Sequence, residues 1–125
     1  MTENELSKII LETCIEIHKE LGPGLFESVY EEVLCYELKE KGIKFERQKA
    51  IPVIWKERKL DIGFKADLIL EEKVLLEIKS IENILPVHKK QTLTYIKLTG
   101  IKLGMLINFK EALLKDGVNR LVNNL

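Results

Sequence analysis

Residues 44 to 80, KFERQKAIPVIWKERKLDIGFKADLILEEKVLLEIKS, break with the period of the chain around them. They are rich in β-branched and aromatic residues and cut by short charged turns, which predicts three antiparallel strands with cores near 51–56, 59–70 and 74–80. On either side the apolar spacing is helical. Leu6, Ile9, Ile10, Ile17 and Leu21 predict a helix over about 4–21, stopped by Gly22-Pro23-Gly24. A second helix is expected over 27–41, with Val29, Val33, Leu34 and Leu38 inward and Gly42 as its stop. Pro86 opens a third over 87–99, ended by Gly100, and KLGMLINF (102–109) reads as a fourth, central strand. A last helix is expected over 110–123. The order ααβββαβα, without repeat or linker, predicts one α/β domain over 1–125 with a mixed sheet.

Within this region ADLILEEKVLLEIKS (66–80) has a pattern of its own. A turn centred on Glu72 sets Leu70 against Val74, Ile69 against Leu75, Leu68 against Leu76, and Asp67 against Glu77. Alternation then places Ala66, Leu68, Leu70, Val74, Leu76 and Ile78 on one apolar face. The other face carries Ile69 and Leu75, then Asp67 beside Glu77, with Lys79 next along and Lys65 across from it. Like charges directly opposite one another destabilise a sheet, and an unpaired buried charge costs several kcal/mol. Lys79 offsets part of this. A divalent cation offsets more, since Mg²⁺ takes carboxylate oxygens and keeps positions for water and phosphate. A plain salt-bridge cluster at a sheet end remains the other reading.

Composition narrows the class. Apolar residues make up 46% and charged residues 32%, a globular balance. No apolar run reaches the roughly 20 residues of a membrane span, and MTENELSKII lacks the form of a signal peptide, so the expected location is cytoplasmic. Cys14 and Cys35 are too few for a Cys-rich zinc site and fit small core residues. His18 and His88 do not form a zinc-hydrolase pattern. No nucleotide-cradling glycine loop and no nucleophile elbow is present. Twenty basic residues balance twenty acidic ones, which argues against coating nucleic acid by bulk charge. KEKGIKFERQK (39–49) and HKK (88–90) are local basic stretches, either solvated faces or contact patches.

Several spaced motifs together carry a resemblance. GLFESVY (24–30) fits a Gly-x-x-Glu-x-x-Tyr signature through Gly24, Glu27 and Tyr30. With ADLIL, LLEIKS, HKKQTLTYIKLTG and KLGMLINF, in that order, the chain resembles the GxxExxY family, which is assigned to the PD-(D/E)XK nuclease superfamily. The resemblance spans nearly the whole chain and implies a restriction-endonuclease-like core of helix, three antiparallel strands, helix and fourth strand. An extra N-terminal helix and a C-terminal helix would flank that core. It implies that Asp67 and Glu77 bind Mg²⁺ or Mn²⁺, with Glu27 and the Ile78 carbonyl as further ligands. Lys79 would hold the attacking water or stabilise charge on phosphate. Gln91 and Tyr95, four apart on one helix face, resemble a Gln-x-x-x-Tyr motif that helps hold the site and the DNA. His88 shares that face, and Tyr30 would pack against or orient Glu27. The superfamily's Pro-Asp is Ala66-Asp67 here, which keeps the required carboxylate.

The resulting expectation is a metal-dependent nuclease acting on nucleic acid, DNA ahead of RNA. The alternative is a nuclease-like binding or assembly module with little turnover. Neutral net charge leaves room for a homodimer or a protein partner that adds phosphate contacts. Trp55, the only tryptophan, is read as core or edge packing, with base stacking as the second reading.

Overall fold

A computed structural model describes all 125 residues. Two helices, α1 (Glu3–Leu21) and α2 (Glu27–Glu40), precede three strands, β1 (Phe45–Trp55), β2 (Arg58–Leu70) and β3 (Val74–Lys79). Helix α3 (Pro86–Thr99) leads into β4 (Leu103–Asn108), and the chain ends in a short 3-10 turn, Leu114–Gly117, and β5 (Val118–Val122). The sheet order is β1-β2-β3-β4-β5. Only β3 and β4 run parallel, with α3 as their crossover; the other pairs are antiparallel. No helix is long and apolar enough to cross a membrane.

Local chemistry explains most boundaries. Thr2 caps α1 in a reciprocal capping box with Glu5. Glu71 and Glu72 adopt left-handed φ values of 52° and 58° at the β2–β3 turn, the backbone that a tight hairpin needs. That turn produces the expected register, Leu70 with Val74, Ile69 with Leu75 and Leu68 with Leu76.

The sheet separates two apolar layers. One packs α1 and α2 on Leu68, Leu70, Val74, Leu76, Ile78, Met105 and Ile107. The smaller layer, under α3, gathers Ala66, Ile69, Leu75, Ile96 and Ile101. At Gly104 a Cβ would stand 3.0 Å from Ile96 and 3.1 Å from Thr92, so α3 rests directly on β4 backbone. Free Cys14 and Cys35 are buried, and burial pushes their thiols up to about 12 and about 11.

Several expectations are corrected. The segment 110–123 does not form an α-helix: a 3-10 turn leads into β5, which pairs the otherwise open edge of β4. Gly117 sits so close to Asn108 that a Cβ would lie 2.3 Å from its carbonyl oxygen, a contact that folds the chain back alongside β4. Ala66 faces α3 rather than sharing the layer of Leu68, so strict alternation slips at Asp67. In α2 the buried positions are Tyr30, Glu31, Leu34, Cys35 and Leu38, while Val29 is exposed. Leu21 is exposed at the end of α1.

Candidate active site

Asp67 stands where the sheet opens. The β2–β3 ladder ends at Leu68–Leu76, and the next β3 amide, Ile78 N–H, donates to Asp67 Oδ2 at 2.8 Å. The Asp67 carboxylate thus takes over a backbone partner's role, and the strands diverge beyond it. A strand residue sends its N–H and C=O to the same edge, so the Ile78 carbonyl also faces this gap.

Across the gap, alternation along β3 places Glu77 and Lys79 on the side opposite Leu76 and Ile78, toward α3. Glu77 is 6% exposed. Its Oε1 is buried without any hydrogen-bond partner, a rare condition for a native polar atom. Burial, with the neighbouring Asp67 carboxylate, pushes the Glu77 carboxyl up to about 9, against a smaller opposing pull from Lys79. Two carboxylates, one with an orphaned oxygen, on either side of the Ile78 carbonyl's edge of β3 form an oxygen-rich set of the kind that fits a hard divalent cation.

On the other side, Asp67 is held by a residue the sequence did not single out. Gln48 Nε2 donates to Asp67 Oδ1 at 3.2 Å and to Glu31 Oε1 at 2.7 Å. Glu31, buried on α2, also accepts from Arg47 Nε at 2.7 Å. Gln48 adopts φ 50° in the middle of β1, a conformation that costs a non-glycine residue about 1 kcal/mol or more. That strain sits at the one position where β1 reaches both α2 and Asp67. A polar residue in a strand-like run was the sole sequence signal, and it is an ordinary one.

The Gly-x-x-Glu-x-x-Tyr segment forms a clamp over the end of β3. Gly24 has φ 95°, which favours glycine. Glu27 Oε2 accepts from Ser80 N–H at 3.0 Å, and Ser80 Oγ donates to the Leu25 carbonyl at 2.7 Å. Asn108 grips the following residue from β4, accepting from Ile81 N–H at 3.1 Å and donating to its carbonyl at 2.8 Å. The backbone just past Lys79 is therefore fixed from two sides.

The expected residues separate into three groups. Asp67 and Glu77 come together with Lys79 beside them. Glu27 stands at the end of β3, where its Oε2 accepts from Ser80 N–H, and no three His, Cys, Asp or Glu side chains are grouped as a metal cluster. Tyr30 does not face substrate. It is fully buried, stacked on Phe109 at 4.3 Å, and its hydroxyl donates to the Gly22 carbonyl and accepts from Leu25 N–H. Its role is to hold the turn that carries Glu27. On α3, Tyr95 stacks on Phe64 at 3.7 Å, and burial with the nearby Glu77 and Asp67 charges raises its phenol. His88 Nδ1 accepts from Leu85 N–H at 2.8 Å and so caps its own helix, while Gln91 lies exposed one turn on.

A mixed five-stranded sheet with α1 and α2 on one face and α3 on the other is consistent with a restriction-endonuclease-like fold. A family model described as the PD-(D/E)XK nuclease superfamily matches residues 4–121, and the chain belongs to that superfamily. No curated protein and no solved structure matches it. Nucleases of the superfamily generally use divalent metals, and their substrate is nucleic acid.

Proposed function

We propose that this chain is a Mg²⁺- or Mn²⁺-dependent phosphodiesterase that hydrolyses a nucleic-acid backbone, DNA ahead of RNA, and that it belongs to the GxxExxY branch. One observation carries the reading: a buried carboxylate with an orphaned oxygen, Glu77, set against Asp67 in a gap in the sheet. A salt-bridge cluster would leave no such atom, because its partner would occupy it.

Asp67, Glu77 and the Ile78 carbonyl would hold the ion. When bound, it supplies Lewis acidity toward a phosphoryl oxygen and a water of lowered pKa. The protein's own groups do the rest. Lys79, on the same side of β3 as Glu77, places its ammonium beside the reacting phosphate, holding the attacking water or the developing charge. Gln48 fixes the Asp67 carboxylate from the side away from substrate. Glu27, through Ser80, fixes the main chain from which Lys79 projects, and Tyr95 and Gln91 border the approach from α3.

The separate position of Glu27 supports a second reading, a nuclease-like module that binds nucleic acid with little turnover. A labelled oligodeoxynucleotide incubated with Mn²⁺ decides between them. Cleavage by the wild type that falls at least about 1000-fold in Lys79→Ala and Asp67→Asn establishes the enzyme. Binding without cleavage across single-stranded, duplex and RNA substrates establishes the module.

A further inference from the structure

The N-terminal half of β2 and the C-terminal half of β1 extend past β3: Ile51 and Phe64 at their base still pack on the α3 layer, while the tip, 54–59, is exposed. Residues 49–55 and 58–65 pair with each other and with no third strand. The two strands of the resulting arm approach so closely at Gly63 that a Cβ would lie 2.0 Å from the Ile51 carbonyl oxygen, beside a register irregularity between Pro52 and Ile54. It turns at Lys56 and Glu57, both left-handed at φ 48° and 67°. Ile54 and Trp55 are 64% exposed and Ile62 is 77% exposed. Isolated exposed apolar residues are ordinary, but three on one small hairpin are a local concentration, with Trp55 the only ring among them.

Charge is distributed unevenly along the chain. The arm carries Lys49, Lys56, Arg58, Lys59 and Lys65 against only Glu57 and Asp61. Because the whole chain is neutral, the remainder has a matching excess of acid. Lys56 Nζ lies 5.6 Å from the Trp55 ring centre, so cation and aromatic face are presented together. A cleft of about 470 Å³ runs along the arm, lined in part by Pro52, Lys59, Phe64 and Lys65. Strand β2 continues from there to Asp67, with Lys65 two residues before it in the chain.

We infer that the arm grips a single-stranded stretch of nucleic acid, with Trp55 stacking on an unpaired base and the arm's cations pairing with phosphates. The inference rests on the nuclease reading and supplies the phosphate contacts that a neutral chain otherwise lacks. Exposed aromatic rings beside a cationic track are the standard means of holding unpaired bases without reading their edges. A second copy of the chain fits less well, because a two-fold contact sets the same patch against itself and would bring cations against cations.

Trp55 is the sole tryptophan of the chain, so its intrinsic tryptophan fluorescence reports the arm directly. Oligothymidylate would be titrated at low salt with a chelator present, followed by tryptophan emission and by anisotropy of the labelled oligonucleotide. The expected result is saturable quenching, with affinity about 10-fold weaker in Trp55→Ala and largely kept in Trp55→Phe. Replacing Lys56, Arg58 and Lys59 by Ala should reduce the salt slope by about 2. Binding with unchanged tryptophan emission, equal affinity in Trp55→Ala, or no binding by the wild type would each overturn the inference. So would tighter binding of a duplex of the same length, or a dimer abolished by Trp55→Ala. Failure of the nuclease reading is separate: it leaves the quenching intact and shows only as absent cleavage with metal. Failure of the arm leaves cleavage by Trp55→Ala equal to that of the wild type.

Discussion

Strand β2 belongs to two different environments. From Leu68 to Leu70 it is buried between α1/α2 and α3, hydrogen-bonded on both edges; from Arg58 to Gly63 it has one partner strand and is largely exposed. Asp67 lies at the boundary, where the strand leaves the buried half but its neighbours are still fixed. A carboxylate one pair deeper would be sealed in the core, and one further out would be solvated and floppy. At the boundary a half-buried Asp67 meets a buried Glu77, where charges interact more strongly than in water.

The contrast can be broken from either end. The largest stability effect is expected in the buried half: Leu76→Ala, at a fully buried position facing the α1/α2 layer, should cost about 2–5 kcal/mol in denaturant unfolding. Next comes the boundary. The Glu77 carboxyl stands at about 9 rather than the usual 4.5, so between these values the native state binds more protons than the unfolded chain. Stability of the metal-free protein should therefore fall as pH rises from about 5 to 9, by at most about 1.4 kcal/mol per unit. Glu77→Gln should flatten that slope and gain on the wild type as pH rises, as thermal unfolding across pH would show.

Smaller effects follow. Gln48→Gly relieves a left-handed non-glycine residue while removing the donor that holds Asp67 and Glu31. Stability should change by about 1 kcal/mol or less, while exchange of the Ile78 amide, measured by NMR, should accelerate. Unchanged Ile78 protection would mean that Asp67 needs no such support. Smallest of all, Trp55→Ala on the arm should shift unfolding by about 0.5 kcal/mol or less, which separates its role in binding from any role in the fold.

What the sequence revealed follows the same boundary. The β2–β3 hairpin was legible because two-residue periodicity and a charged turn fix one register, and a slip would turn Leu68 and Leu76 outward. Gln48 was not legible, because its importance lies in a φ value and in reaching two elements distant in sequence. Tyr30 was visible as part of a motif, yet its work is done through a hydroxyl tied to Gly22 and Leu25, which spacing does not disclose. The last strand was misread as a helix because VNRLV is short and follows a helical-looking run, and the open edge of β4 decided its form. Trp55 fits packing by sequence because strands usually bury tryptophan, but it stands at the hairpin tip and is 64% exposed.

The central claim is that Asp67 and Glu77 form a cation site at this boundary. Calorimetric titration of Mn²⁺ into the wild type and into Glu77→Gln, at pH 8 with a non-hydrolysable phosphorothioate oligonucleotide present, tests it most directly. The account predicts saturable binding by the wild type and a loss of at least about 10-fold in affinity in the variant. Equal binding by both proteins, or none by the wild type with the oligonucleotide bound, would contradict it.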